Sequence, residues 1–325
     1  MTAGRSRRRT GWLVGTAIVA VAAVGVAAGC GTDSDDGDDL GDRQVEVVTT
    51  TNFITDMAEE IGGDRVEVTG LMGPGVDPHL YKASASDVST LRGADVIFYN
   101  GLELEGRMTD LLVELAGDTE TVAVTRDVPE DELREPSEFE GKFDPHIWFD
   151  VPLWSATVQT IADTYAEVDP EHADEYQERA DAYEAELEAL DAEVRDMLEG
   201  IPEEQRVLVT SHDAFGYFGE EYGFEVAPIQ GTSTATEATT ADIDRVSDLI
   251  ADRGLSAVFI ESSVSPQTIE AVLEAAERKG QTARVAGELF ADAAGEAGTE
   301  EGTYIGMVRS NATAVADGLG SPAAE

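Results

Sequence analysis

The sequence has a single cysteine, Cys30, in its 325 residues, and few basic side chains. One cysteine excludes disulfide bonds within the chain and cysteine-rich metal sites. Lysine and arginine number 21 against 67 acidic residues, so the formal net charge is −46 at pH 7. A charge of this sign argues against nucleic acid and anionic membrane surfaces as partners. A negative field could steer cations to a site, but the acids occur in almost every segment, which favours adaptation to high salt.

The N-terminal residues have the pattern of an export signal. Four arginines precede an uncharged apolar stretch, Trp12–Ala28, and small residues lie directly before Cys30. This order predicts a lipoprotein signal peptide over residues 1–29, with the lipid attached to Cys30. The alternative is an uncleaved membrane anchor, since the stretch is close to the minimum length of a spanning helix. Both interpretations place the rest of the chain outside the cytoplasmic membrane.

The segment after the cysteine is strongly acidic. Residues 31–42 contain six aspartates, no aromatic residue and one apolar residue. Such a segment cannot bury apolar surface, so residues 30–43 are predicted to be the lipidated cysteine and a flexible tether. About 280 residues follow, which is enough for two lobes with a hydrophobic core each.

Eight short apolar runs rich in β-branched residues are typical of buried parallel strands. Four lie in each half of the chain, and segments of helical length alternate with them. The alternation predicts an α/β fold of two lobes, each a four-stranded parallel sheet with flanking helices. The predicted strands are Val45–Thr49, Val66–Leu71, Val96–Tyr99, Thr121–Val124, Arg206–Thr210, Phe224–Ile229, Ala257–Ile260 and Thr282–Val285. Predicted helices include Ile54–Ile61, Ser86–Leu91, Thr240–Asp252 and Pro266–Lys279.

A long helix is predicted between the two sets of strands, over residues 169–200. Asp169 is a good N-cap, Pro170 suits the first helical position, and Gly200 with Pro202 ends the pattern. A helix of this length spans roughly 45 Å and would permit only a small rocking between the lobes. Its apolar stripe consists of Ala173, Tyr176, Ala180, Tyr183, Leu187, Leu190, Val194 and Met197.

The long helix divides the rest of the chain. The N-terminal lobe is predicted over residues 44–168 and the C-terminal lobe over 201–320. Residues 321–325 are a tail.

Histidine occurs only four times in the chain. Two histidines end a doubled tripeptide, Asp77–His79 and Asp144–His146, and His212 follows the first strand of the second half. All three lie at strand exits, the edge of an α/β sheet where ligands bind. The proline inside each tripeptide stiffens the backbone before the histidine. These positions predict a transition-metal site, whereas His172, in the first turn of the long helix among charged residues, is expected at the surface.

Longer motifs around these residues resemble the zinc- and manganese-binding solute-binding lipoproteins of ABC transporters, the TroA-like group. The resemblance extends from about Val45 to Leu319. The motifs are Gly75–Lys82, Phe98–Glu105, Asp144–Asp150, His212–Phe218, Glu261–Ser263 and Gly302–Val308. The resemblance implies one ion between two lobes joined by one long helix. It also implies the ligands His79, His146, His212 and Asp292, and only the resemblance singles out Asp292 among 67 acids.

Three imidazoles and one carboxylate form a closed ligand set. Zinc suits it as a tetrahedron, and a carboxylate that becomes bidentate allows the five-coordination that manganese tolerates. Two departures from the family pattern leave the cargo open. Zinc-uptake members often have a histidine-rich loop before the second ligand, whereas Thr125–Phe143 has seven acids and no histidine here. Some manganese-type members have Glu in place of His212.

The resemblance implies a receptor rather than an enzyme. The receptor would capture Zn²⁺ or Mn²⁺ as cargo and deliver it to the permease of an ABC transporter and its ATPase. It is expected to be a monomer without nucleic-acid partners. The lipid on Cys30 would anchor it to the outer face of the cell membrane, or the protein would be periplasmic.

An alternative function, that of a zinc hydrolase, depends on Glu261. A zinc-dependent hydrolase with Glu261 as general base would need an open coordination position for water. Asp292 would close that position, and the sequence lacks the H-E-x-x-H motif. Glu261 could instead orient a ligand imidazole from behind, or cap the helix that begins near Pro266. A third interpretation, a surface adhesin, has no residue in its favour.

Overall fold

The computed structural model describes residues 43–136 and 141–320, and strands alternate with helices along both of these ranges. The predicted signal peptide, the predicted lipidation site Cys30, nearly all of the predicted tether and the tail lie outside the described residues. Within the described part of the chain, no helix is both long enough and apolar enough to cross a membrane.

The first half, which precedes the long helix, forms a four-stranded parallel sheet in the order β2-β1-β3-β4. Val47 of β1 lies opposite Val68 of β2 and Val96 of β3, so the central strand is covered on both edges. This confirms the predicted first sheet. The strands are β1 Val45–Thr49, β2 Val66–Gly70, β3 Val96–Tyr99 and β4 Glu120–Ala123, and the helices are α1 Asn52–Gly62, α2 Ala85–Leu91 and α3 Thr109–Leu115.

Two longer helices lie in the sequence between β4 and the second half. Helix α4, Val151–Val168, begins at Asp150, whose side chain accepts a hydrogen bond from the backbone of Leu153 at 2.9 Å. A 3₁₀ turn over Pro170–His172 then leads into α5, Ala173–Glu199. The turn and α5 together confirm the predicted long helix. Its buried stripe contains six of the eight predicted residues. Ala173 and Met197 are only partly buried, and Leu198 is buried at the C-terminal end.

The four strands of the second half are hydrogen-bonded as two parallel pairs, β5-β6 and β7-β8, and not as the single four-stranded sheet predicted. Strand β5 lies beside β7. At its end the backbone N–H groups of Ser211 and His212 donate to the side chain of Glu261, so that side chain replaces a strand carbonyl there. The strands are β5 Val207–His212, β6 Glu225–Gln230, β7 Ala257–Glu261 and β8 Arg284–Leu289. The helices are α6 Gly216–Tyr222, α7 Thr240–Arg253, α8 Gln267–Arg278 and α9 Tyr304–Gly320.

One apolar cluster contains residues of both halves and the buried stripe of α5. Trp154 of α4 packs against Tyr304 of α9, with 5.6 Å between ring centroids, and Phe53 of α1 packs against Trp148 at 4.6 Å. All four rings are fully buried. Because this cluster is continuous, the halves are held together by apolar burial as well as by α5.

Candidate metal centre

Four side chains from four separate segments converge at the carboxyl ends of the strands. His79 lies in the loop after β2, His146 precedes a 3₁₀ turn over Ile147–Phe149, His212 ends β5, and Asp292 follows β8. Each offers one nitrogen or oxygen atom, and these four atoms lie within 4.8 Å of one another. The Nε2 atoms of His79 and His146 are 3.3 Å apart. The structure thus brings together all four predicted ligands.

The cluster is sealed from solvent and leaves polar atoms without partners. His146 and His212 are fully buried, Asp292 is 1% exposed, and His79 is 6% exposed. Asp292 Oδ1 lies 3.4 Å from His146 Nε2 and 3.3 Å from His212 Nε2, but neither contact has hydrogen-bond geometry. Among the described residues, neither oxygen of Asp292 has a hydrogen-bond partner. Unpartnered buried carboxylate oxygens are costly, so these residues fit a cation bound between them.

The doubled tripeptide forms the same turn twice. The carboxylate Oδ1 of Asp77 accepts from the backbone N–H of His79 at 2.9 Å, and Oδ1 of Asp144 accepts from that of His146 at 3.0 Å. A proline lies inside each turn and restricts its backbone. Two stiffened turns therefore present two imidazoles with little conformational freedom.

A carboxylate orients His146 from behind. His146 Nδ1 donates to Asp144 Oδ1 at 2.7 Å, and Arg134 Nη1 donates to Asp144 Oδ2 at 2.5 Å. In the neutral ring, the bond at Nδ1 leaves the Nε2 lone pair directed at the cluster, the tautomer that a metal requires.

Glu261 orients His212 in a similar way. Its Oε2 accepts from His212 Nδ1 at 2.5 Å, and its Oε1 accepts from the backbone of Ser211 at 2.7 Å. Helix α8 begins after Pro266 without a side-chain cap, so Glu261 does not cap it. The carboxylate stands behind the imidazole rather than in front of it, where a base acting on a metal-bound water would have to lie.

The protonation of the cluster follows from its carboxylates. Burial opposes a charge on His146, but Asp144 and Asp292 outweigh burial and raise its pKa to about 9. Burial likewise opposes a charge on His212, yet Glu261 and Asp292 raise its pKa well above the ordinary value. Burial lowers the pKa of His79 to about 3. His146 and His212 therefore each carry a second ring proton at pH 7 when no cation is bound. A cation must displace that proton to bind.

Two buried aromatic side chains lie near the predicted ligands in the sequence, and the fourth histidine lies apart from them. Trp148 lies against His146, with 5.1 Å between ring centroids, and its indole N–H donates to the carbonyl of Ala291 at 3.0 Å. Phe149 stacks on Phe215 at 4.3 Å. Both rings are buried core residues, and Trp148 also lies against the cluster. His172 lies outside the cluster, where its Nδ1 is 3.0 Å from the carboxylate of Asp169.

The sequence that builds this cluster is similar to those of known proteins. Residues 47–318 match the sequence profile of the ZnuA family, described as zinc-uptake complex component A, periplasmic. The chain belongs to this family. It is 45% identical over 292 residues to the manganese-binding lipoprotein MntA of Bacillus subtilis, covering 90% of this chain and 94% of MntA. It is also 44% identical over 274 residues to the zinc-binding protein TroA of Treponema pallidum, covering 84% of this chain and 88% of TroA.

The fold of this ZnuA-family chain is that of the solved TroA structure from Treponema pallidum. The two superpose with a TM-score of 0.83 at 45% identity, over 85% of this chain and 99% of TroA. The predicted resemblance and the α/β fold are therefore confirmed. ZnuA-family proteins are solute-binding receptors, so the hydrolase alternative has no support.

The sequence predictions did not include two polar residues that contact the aspartates of the two tripeptides. Arg134 bonds Asp144 from a segment that attracts notice only for its lack of histidine. Thr234 donates to Asp77 Oδ2 at 2.6 Å from a position 157 residues away. No local pattern marks either residue.

Proposed function

We propose that this chain captures one divalent transition metal ion, Zn²⁺ or Mn²⁺, and delivers it to the permease of an ABC transporter. The four convergent side chains His79, His146, His212 and Asp292 are its ligands. The observation that supports this most directly is a buried carboxylate with two unpartnered oxygens beside three imidazoles.

The chemistry of the donor set favours transition metals. Three neutral imidazoles and one carboxylate leave a net charge of +1 around a divalent ion. Calcium and magnesium prefer sites with more oxygen ligands. Nitrogen-rich sites bind zinc more tightly than manganese, so zinc should bind strongly in vitro whichever ion is the cargo.

The two halves act as lobes over residues 44–168 and 201–320, joined through the helix over 169–200. Because ligands come from both lobes, binding of the ion is coupled to their approach. The protein catalyses no reaction. It acts as a monomer outside the cytoplasmic membrane, held there by a lipid on Cys30, and its partners are a metal permease and its ATPase.

Metal binding can be tested on the purified chain. Zn²⁺ and Mn²⁺ titrations by calorimetry should each give one site per chain, and Ca²⁺ in equal amount should not displace zinc. The variant His146→Ala should lose most of the affinity, whereas His172→Ala should retain it. Equal binding by both variants would refute the ligand assignment.

Transport and anchoring need a cellular test. Host cells that lack the chain should accumulate less radioactive zinc or manganese from limiting medium, and the wild-type chain should restore accumulation. The variant Cys30→Ala should move the protein from the membrane fraction to a soluble one. Normal uptake of both metals without the chain would contradict the proposed role.

A further inference from the structure

We propose that Arg134 is a positioning residue for metal capture, because it connects the turn that carries His146 to the segment that carries His212. The inference rests on the proposed function. Arg134 touches neither the ion site nor its four ligand atoms directly. It acts through Asp144 on one side and through helix α6 on the other.

On the first side, Arg134 balances a buried charge. Asp144 is fully buried, and its two oxygens are divided between His146 and Arg134. When His146 coordinates a metal through Nε2 it is neutral, so the guanidinium of Arg134 must then balance the carboxylate. Removing one partner of a buried pair leaves an uncompensated charge. The hydrogen bond that orients the imidazole therefore depends on Arg134.

On the second side, Arg134 lies against the start of α6. Its Nε donates to Glu220 at 2.7 Å, and its guanidinium carbon lies 5.5 Å from the ring centroid of Tyr217. The hydroxyl of Tyr217 accepts from the Arg134 backbone and donates to the carbonyl of Asp144, each at 3.0 Å. A Cβ at Gly216 would lie 1.5 Å from Arg134 Nη1, so only glycine permits this approach.

The connection joins two ligands that come from different halves. His212 ends β5, and α6 begins at Gly216 in the same segment. Arg134 thus holds the His146 turn and the His212 segment in fixed relation from behind the cluster. The orientation of His212 has a different basis, because Glu261 is held by two backbone N–H groups. Loss of Arg134 should therefore disturb His146 first.

The test compares the variants Arg134→Gln and Arg134→Lys with Arg92→Gln as a matched control. Arg92 forms an exposed ion pair with Glu114 in the first half, so its loss should leave binding unchanged. Cobalt is the probe, since its visible absorption reports the geometry of its ligands. Affinity comes from chelator competition and dissociation from stopped-flow mixing.

Arg134→Gln should weaken cobalt binding by up to about 10-fold, the lower end of the effect of losing a direct partner of a ligand, because Asp144 remains bonded to His146. It should also alter the cobalt spectrum, which a general loss of stability would not do. Arg134→Lys keeps a charge beside Asp144 and should recover part of the affinity and the spectrum.

A spectrum and affinity equal to wild type in Arg134→Gln would overturn the inference. If that variant does not fold, wild-type dissociation and spectrum in Arg134→Lys would overturn it, because lysine cannot keep both the Asp144 and Glu220 contacts. Failure of the wild-type chain itself to bind cobalt or zinc would instead refute the proposed function.

Discussion

Replacing Asp292 with asparagine is the sharpest single test of the proposed site. The two side chains have nearly the same shape, so the change removes charge and leaves the volume of the cluster intact. In the ion-free protein, burial opposes the charge on Asp292, but His212 and His146 outweigh it and hold its pKa well below the usual value. A depressed pKa means that the carboxylate stabilises the fold above its ordinary pKa, so the variant is less stable without metal too. The useful quantity is therefore the stabilisation that metal adds.

The expected loss of zinc-induced stabilisation follows from the burial of Asp292 and from the linkage between binding and folding. Removing one partner of a buried charged pair costs about 3–5 kcal/mol, and the lower value corresponds to at least about a 100-fold loss of affinity. Free zinc at 1,000 times the wild-type Kd adds about 4.1 kcal/mol to stability. The same zinc concentration would add only about 1.4 kcal/mol to a variant whose Kd is 100-fold higher. The metal-induced rise in Tm should then shrink by roughly 5–10 °C.

Differential scanning calorimetry with and without zinc measures the zinc-induced rise in Tm of the wild type and of the variant. The matched control is Asp87→Asn, which removes the charge from the capping box at the start of α2 and leaves the four predicted ligands unchanged. It should cost about 1 kcal/mol of stability in both states and leave the zinc increment unchanged. If Asp292→Asn kept the full increment, Asp292 would not be a ligand and the charge argument would fail.

Three further outcomes are expected. Because the pKa of His146 is raised to about 9 and metal binds only neutral imidazole, zinc affinity should rise with pH up to about 9, and binding at pH 7 should release protons. Calorimetry in buffers of different ionisation enthalpy would detect that release, and none at pH 7 would contradict it. Glu261→Gln should weaken zinc by about 10–100-fold in chelator competition, and an unchanged Kd would show that Glu261 does not support His212. Thr234→Val removes the 2.6 Å bond to Asp77 and should speed zinc dissociation by about tenfold, so an unchanged stopped-flow rate would count against that bond.

Most strands and helices could be predicted because each is marked by the residues within its own segment. The β-branched runs and the stripe of α5 give strands and a helix within a few residues of those found. The prediction for β8 is less accurate. Thr282–Val285 precedes most of the observed strand, Arg284–Leu289, because that strand alternates little and contains Gly287. The second half forms two separate strand pairs, and at the end of β5 the side chain of Glu261 accepts from the backbone of Ser211 and His212. No strand pattern indicates such a contact.

Site residues that lie in a recognisable local motif could be predicted from the sequence, and the others could not. The tripeptides of His79 and His146 each contain their own turn, with aspartate, proline and histidine in sequence. Asp292 has no such signature and came only from family resemblance. Arg134 and Thr234 act through pairings that form after folding, and their own sequence neighbourhoods contain nothing that distinguishes them.

Burial of the ligands limits how a metal ion can enter. With His146 and His212 fully buried, an ion reaches them only if some covering segment moves. The apolar cluster that spans both halves opposes a wide opening, because separating them would expose its aromatic rings to water. His79 is the least buried ligand, and its turn is tied to the second half by the bond between Asp77 and Thr234. Breaking that hydrogen bond costs less free energy than opening the core, so we expect ions to exchange through the His79 turn.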